Sequence, residues 1–335
     1  PDFAGYPPLE LRSHCDRAVE GVRPAILVFA KLDVWPGLTA AAERASVPTA
    51  LLNAVVRARS GRLQPLARSL LASTYASLDR VGAASEEDAE RLLALGVREE
   101  TLRVTGDAAY DLAAARAERA REPGGWTERF EAGLPARPGA DGLRLVAGST
   151  WPADEEVLLD ALAALPATGS GRFRWQAVFA PHSPSEAHVR RLLGSCRRRG
   201  EPAARWSELR EGGTLPEHGI VVFDTMGRLA ELYTVGDVAY VGGAIGGTGL
   251  HSVIEPAAAG IPVLFGPHHD RREATELLAA RAAYEAAPDA LVEPLALLAD
   301  DETRAAAGRR AAACVNAGRG AAAASTALVE ELLTR

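Results

Sequence analysis

The sequence predicts a doubly wound α/β architecture in two domains, and three observations predict it. Short apolar runs alternate with longer Ala/Leu/Arg/Glu stretches almost to the end of the chain. Most runs are apolar on both faces, as strands of a parallel sheet covered by helices on both sides are. A polar segment rich in Pro and Gly separates two such series near the middle of the chain.

In order, strands are expected at Ala25 to Phe29, Thr49 to Leu52, Arg80 to Ala84, Leu102 to Val104, Leu143 to Ala147, Gln176 to Phe179, Ile220 to Phe223, Val238 to Val241 and Pro262 to Phe265. Crossover helices are expected between them, at Leu63 to Ser77, Glu86 to Leu95, Glu155 to Leu165 and Glu186 to Arg199. From about residue 291 onward the pattern is helical with no strand signal. The Pro and Gly positions place a linker at 123–142, between an N-terminal Rossmann-like domain at 1–122 and a C-terminal one at 143–335. The first series holds four strands, fewer than the roughly six of a full Rossmann-like sheet. The chain also opens at Pro1 without methionine, so further N-terminal sequence is expected, where a targeting peptide or anchor would not be visible.

Composition narrows the function classes. At 335 residues, 47% hydrophobic and 24% charged, the chain has the length of two domains. Cys15, Cys196 and Cys314 stand apart from one another, which argues against a zinc module or an oxidised framework and suits a reducing compartment. No apolar run reaches the roughly 18 to 20 residues that cross a bilayer. A net charge of −7 argues against nucleic-acid partners, so any phosphate is met locally. Lys31 is the only lysine among 37 basic residues and follows no glycine-rich loop, which removes Walker A and most Schiff-base chemistry.

The glycine-densest stretch, Val241-Gly-Gly-Ala-Ile-Gly-Gly-Thr-Gly-Leu-His-Ser-Val-Ile-Glu-Pro256, follows one expected strand and opens an expected helix. It fits no register of GxGxxG, so a hydride-transferring enzyme loses its main support. Glycines there let backbone approach a ligand, and amides near Leu250 to Val253 would favour an anion. His251 and Glu255, four apart, are expected on one helix face, with Glu255 accepting from ribose hydroxyls; Ser252 to Glu255 fits a capping box equally well. Three further loops follow strands of the same half: Gly148-Ser149-Thr150, Pro181-His182-Ser183-Pro184 and Asp224-Thr225-Met226-Gly227-Arg228. Each could hold a ligand or cap a helix, and in a parallel sheet all emerge at one edge. In the first half, Lys31, Asp33 and Trp35 leave a strand on one side if the chain stays extended. Lys31 and Asp33 form either a site or a satisfied ion pair. Adjacent His268 and His269 seldom converge on one ion, so no metal is expected.

Together these residues resemble the 3-deoxy-D-manno-octulosonic acid (Kdo) transferases of lipopolysaccharide biosynthesis. The resemblance runs through Lys31-Leu-Asp-Val-Trp35, Ser85-Glu-Glu-Asp88, Thr105-Gly-Asp107, Ala147-Gly-Ser-Thr-Trp151, Pro181-His182, Asp224-Thr-Met-Gly227 with Leu232-Tyr233, Val241-Gly-Gly243, and His251-Ser-Val-Ile-Glu-Pro256 with Gly266-Pro267. It implies the GT-B fold, two Rossmann-like domains whose parallel sheets face a central cleft. It also implies a cytidine monophosphate-activated Kdo (CMP-Kdo) donor on the second domain, a lipid A precursor (lipid IVA) as acceptor, inverting transfer without a cofactor or essential metal, and work at the cytoplasmic face of the bacterial inner membrane. His182 and the amides after Gly249 would then face the phosphate, and Ser149, Thr150, His251 and Ser252 would be among the donor-binding residues. Met226 and Gly227 would lie by the cytosine or ribose, and Glu255 would hold the ribose. Asp33 and Lys31 would stand at the catalytic centre, with Trp35 on the acceptor side. Many members carry Glu at Lys31, Arg at His182 and at Thr248, and Asn at Ser252, which leaves Arg228 or Arg271 to compensate at the phosphate. The family's proposed catalytic glutamate lies in an N-terminal glycine-rich motif, with a membrane anchor before it, that this chain does not contain. The rival expectations are another nucleotide-sugar enzyme of the same fold, such as a UDP-sugar transferase or epimerase, and a nucleotide-binding module without catalysis.

Overall fold

The computed structural model describes residues 4–135, 142–165, 174–216 and 218–334. It divides into two compact units, one comprising residues 1–111 with 318–335 and the other residues 112–317.

The first unit is built on a four-stranded sheet of β1 (Leu27–Ala30), β2 (Thr49–Ala54), β3 (Arg80–Ala83) and β4 (Leu102–Val104), in that spatial order. Every pairing is parallel. Phe29, Leu51, Tyr75, Leu78, Val81, Leu92 and Leu95 form its core. Helix Glu86–Leu95 starts where the sequence says it should, because the Ser85 hydroxyl accepts from the Asp88 amide while acidic residues fill the first turn.

The final helix, Ala321–Leu333, belongs to this unit and not to the C-terminal domain expected at 143–335. Its Leu328 lies against Gly82 of β3, Arg80 pairs with Glu331 at 2.9 Å, and Asp111 accepts from the amides of Gly320 and Ala322 at 2.8 and 3.0 Å. The apolar spacing of that helix announces a buried face. Only packing decides which sheet covers it.

The second unit contains a seven-stranded parallel sheet, β5 (Gly142–Thr150), β6 (Arg174–Pro181), β7 (Ala203–Arg205), β8 (Ile220–Val222), β9 (Val238–Val241), β10 (Val263–Phe265) and β11 (Ala283–Glu285), in the order β11-β10-β9-β5-β6-β8-β7. The two edge strands, β7 and β11, are absent from the sequence-based expectation; each has three residues, too few for a pattern. Leu145, Ala147, Leu158, Phe179, Val222, Tyr240 and Leu264 lie at its core. β5 pairs with β6 on one side and β9 on the other, so the connections run in opposite directions from it. That is a topological switch point, which opens a crevice beyond the carboxyl ends of the strands.

The chain divides inside helix Ala108–Ala120, earlier than the linker expected at 123–142. The Pro/Gly-rich stretch holds a helix, Trp126–Gly133, whose Trp126 and Phe130 rings pack with Trp206 and Phe223 of the second unit at centroid distances of 4.3 to 6.0 Å. Aromatic burial there outweighs the local turn composition. The rest of the expected linker, residues 136–141, lies outside the described residues.

Candidate functional site

The carboxyl ends of β5 and β9 are tied together by one buried side chain. Asp154, in the first turn of helix Pro152–Ala164, has no solvent exposure and accepts from the Trp151 amide at 2.9 Å, the Gly243 amide at 3.0 Å and the Tyr240 hydroxyl at 2.9 Å. Burial, and then the Asp154 charge and hydrogen bond, raise the Tyr240 hydroxyl far above its ordinary range, so it stays a donor. The neighbouring Glu155, equally buried, accepts from the Thr150 hydroxyl at 2.9 Å, meets His188 at 2.8 Å and pairs with Arg191. Both carboxylates are fully partnered, as buried charge requires.

On this frame the loops converge. The Gly242 amide donates to the Gly148 carbonyl at 2.9 Å, the His182 amide to the Thr150 carbonyl at 2.9 Å, and the His251 amide to the Gly242 carbonyl at 3.3 Å. The His182 ring stacks on Trp151 at 4.8 Å and on His251 at 4.6 Å, and the Trp151 indole N–H donates to His251 Nε2 at 3.3 Å. Small residues are needed here. A Cβ on Gly148 would stand 2.0 Å from the Tyr233 hydroxyl, and one on Gly243, where φ is +100°, 2.2 Å from the Gly249 carbonyl. Beyond them, Gly246 to Gly249 are exposed.

Of the residues named from sequence, Ser149, His182, Gly249, His251 and Ser252 stand at this edge of the sheet. Thr150 is 0% exposed with its hydroxyl taken by Glu155, so it lies beneath the edge and not on it. The expected helix face shared by His251 and Glu255 is not formed, because the helix runs only over Ile254–Ala258 and His251 precedes it. Nor is the capping box: Val253 stands at the N-cap, with no side-chain cap. Ser252 therefore lies one residue before the position from which such a box would act. Glu255 is half-buried and pairs with Arg116 of helix Ala108–Ala120 at 3.1 Å. Burial pushes its carboxyl up while Arg116 pulls it back.

Met226 is 71% exposed and Gly227 takes φ +88°, at the tip of the loop after β8. Neither Asp224 nor Thr225 caps a helix, since Arg228 occupies the N-cap of Leu229–Tyr233. Asp224 instead accepts from the Ser207 amide and hydroxyl at 3.1 and 2.6 Å. Of the two arginines expected to compensate at a phosphate, Arg271 donates to the Leu250 carbonyl and its charge lowers the His251 pKa. Arg228 is held elsewhere, over the Trp126 ring at 5.6 Å and beside Glu231 at 3.2 Å. His268 and His269 diverge, one to the Ala244 carbonyl at 3.0 Å and the other to Glu285 at 2.7 Å.

In the first unit, the chain turns at Lys31, where φ is +56°, instead of staying extended. Lys31 and Asp33 are both exposed and form no ion pair with each other. Trp35, 40% exposed, stands at the N-cap of helix Pro36–Arg44. Sequence reasoning did not single out Asp154, Glu155, Tyr240 or Arg116. Asp154 alone left a signal, an acidic residue three positions after the residue that opens its helix.

Two units, each on a parallel sheet, one with its loops gathered at a switch point, define the GT-B class of two-Rossmann proteins. Solved structures agree on the fold. A glycosyltransferase from Rickettsia africae matches with a TM-score of 0.60 and 12% identity over 96% of this chain and 79% of its own. A UDP-GlcNAc 2-epimerase from Neisseria meningitidis, bound to UDP-GlcNAc, matches with a TM-score of 0.59 and 16% identity over 97% of this chain and 80% of its own. By sequence the chain is similar to the Kdo transferases: residues 2–112 match the family model "3-Deoxy-D-manno-octulosonic-acid transferase (kdotransferase)". It is 32% identical over 308 residues to the 3-deoxy-D-manno-octulosonic acid transferase of Bordetella pertussis, covering 86% of this chain and 65% of that protein. The Chlamydophila psittaci enzyme of the same name is 27% identical over 266 residues, 78% of this chain and 56% of its own. The chain thus spans less than two thirds of these relatives. Among the described residues no helix is long and apolar enough to cross a membrane.

Proposed function

We propose that this chain carries the donor-binding part, and a portion of the acceptor side, of a glycosyltransferase that moves Kdo from CMP-Kdo to a lipid A precursor, lipid IVA, at the cytoplasmic face of the bacterial inner membrane. The observation that carries the reading is the convergence of Ser149, His182, Gly243 to Gly249 and His251 at the switch point of the second sheet, in a chain similar to the Kdo transferases. The exposed glycines Gly246, Gly247 and Gly249 suit close approach of a phosphate, and Glu255 suits the vicinal hydroxyls of a ribose. Met226 and Gly227 border the nucleoside, and Thr150 supports His182 from below through its carbonyl.

In this reaction a hydroxyl of the acceptor sugar attacks the anomeric carbon of Kdo, the bond from that carbon to the phosphate oxygen breaks, and cytidine monophosphate leaves with the electron pair. The configuration inverts. The departing phosphate is stabilised by fixed amide dipoles and by His182 and His251, without an essential metal. On this reading the hydroxyl proton goes to Asp33 and the acceptor meets Lys31 and Trp35, the exposed residues that follow β1.

Titration with cytidine and uridine nucleotides tests the donor. Preference for cytidine monophosphate supports the assignment, and preference for uridine nucleotides defeats it in favour of another nucleotide-sugar enzyme of this fold. A transfer assay on the full-length protein with CMP-Kdo and lipid IVA tests the reaction. Nucleotide binding with no sugar transfer would leave a binding module without catalysis.

A further inference from the structure

Two histidines and a tryptophan from three separate loops meet at the switch point, and their hydrogen-bond polarity is fixed by one of them. An indole N–H can only donate, so at 3.3 Å from Trp151 Nε1 the Nε2 of His251 must be the unprotonated nitrogen. The proton of the neutral ring is then on Nδ1, which has no hydrogen-bond partner among the described residues. The ring is held on one face, where His182 stacks on it at 4.6 Å.

We propose that Trp151 is a positioning residue: its indole N–H holds neutral His251 in the Nδ1–H tautomer, so that His251 offers the sugar donor's phosphate a hydrogen-bond donor and not an acceptor. The role toward phosphate rests on the nucleotide-sugar reading of this site; the tautomer does not. Protonating Nε2 would set two N–H groups against each other, so the same bond opposes the imidazolium. The surroundings act together with it. Burial, His182 and Arg271 favour the neutral ring, and of the charged groups facing it only Asp154 favours the cation.

Histidine ¹⁵N NMR on the ligand-free protein reads the tautomer directly, with His251 and His182 assigned through His251→Gln and His182→Gln. The wild type is expected to show His251 protonated on Nδ1. Trp151→Phe keeps an aromatic ring against His182, and is expected to mix the tautomers, raise the His251 pKa and weaken cytidine monophosphate binding roughly 3- to 10-fold, the scale of one hydrogen bond. A wild-type His251 protonated on Nε2 overturns the proposal without any variant. So does an unchanged tautomer in Trp151→Phe, or a changed tautomer with unchanged nucleotide affinity. A wild type that binds no cytidine monophosphate brings down the donor reading, and with it the phosphate role, while the spectra still decide whether Trp151 sets the His251 tautomer.

Discussion

Replacing Asp154 with alanine removes the acceptor of three donors at once, the amides of Trp151 and Gly243 and the Tyr240 hydroxyl. The side chain is wholly buried, so bulk water does not replace it. Each buried donor left unmade costs about 1–3 kcal/mol, and because the three share one site and relax together, the expected loss is about 3–5 kcal/mol. Asp154→Asn is the control. Its amide oxygen can accept from both backbone N–H groups, and the Tyr240 hydroxyl can rotate to accept from the new NH₂, so the expected loss is about 1 kcal/mol. Urea unfolding followed by tryptophan fluorescence measures both, since Trp175 and Trp206 are buried in the same unit. An alanine variant within about 1 kcal/mol of wild type, or an asparagine variant as damaging as alanine, would refute the claim that this carboxylate ties the strand ends together.

Three further outcomes follow from the same geometry. Gly243→Ala sets a Cβ 2.2 Å from the Gly249 carbonyl at φ +100°, and is expected to lower stability by about 2–4 kcal/mol and to abolish cytidine monophosphate binding, read by thermal unfolding and calorimetry. Burial raises the Glu255 carboxyl, so if its ionised form holds the ribose, nucleotide affinity falls on acidification at a higher pH than the ordinary glutamate value of about 4.3. Glu255→Ala should weaken that affinity by about 1–3 kcal/mol, and Glu255→Gln should flatten the pH profile; a profile unchanged in Glu255→Gln assigns it to another group. The His251 pKa is lowered by burial and then by His182 and Arg271, so below the unfolded value of about 6.5 the unfolded chain binds more protons and stability declines as pH falls. His251→Gln is expected to make that decline shallower below about pH 6.5, measured by denaturation at stepped pH.

Much of this was legible from residue pattern. The nine expected strands all exist within a few residues, because apolar runs bounded by turn residues mark central parallel strands well. The loops holding Ser149, His182 and His251 were found for the same reason: a loop leaving the carboxyl end of a parallel strand has its position set by the strand. What failed was local. The helix after Ser252 was read from i,i+4 spacing and a capping pattern, yet the His251 amide is drawn to the Gly242 carbonyl and helical geometry begins only at Ile254. The segment at 123–142 reads as linker because Pro and Gly dominate it, while Phe130 is buried within the second unit and Trp126 packs half-buried against Phe223.

The sequence by itself determined the α/β class, the parallel sense of the strands, the likeness to Kdo transferases and the loops that gather at one edge of the second sheet. Each of these depends on order along the chain or on the period of apolar side chains. Tertiary structure alone decided which sheet receives the last helix, that Arg116 faces Glu255 across 139 residues, and that Trp151, His182 and His251 share one stack on a frame held by Asp154. Such pairings are long-range. They are fixed by burial of charge and by close approach at glycines, for which no local spacing in the chain provides a sign.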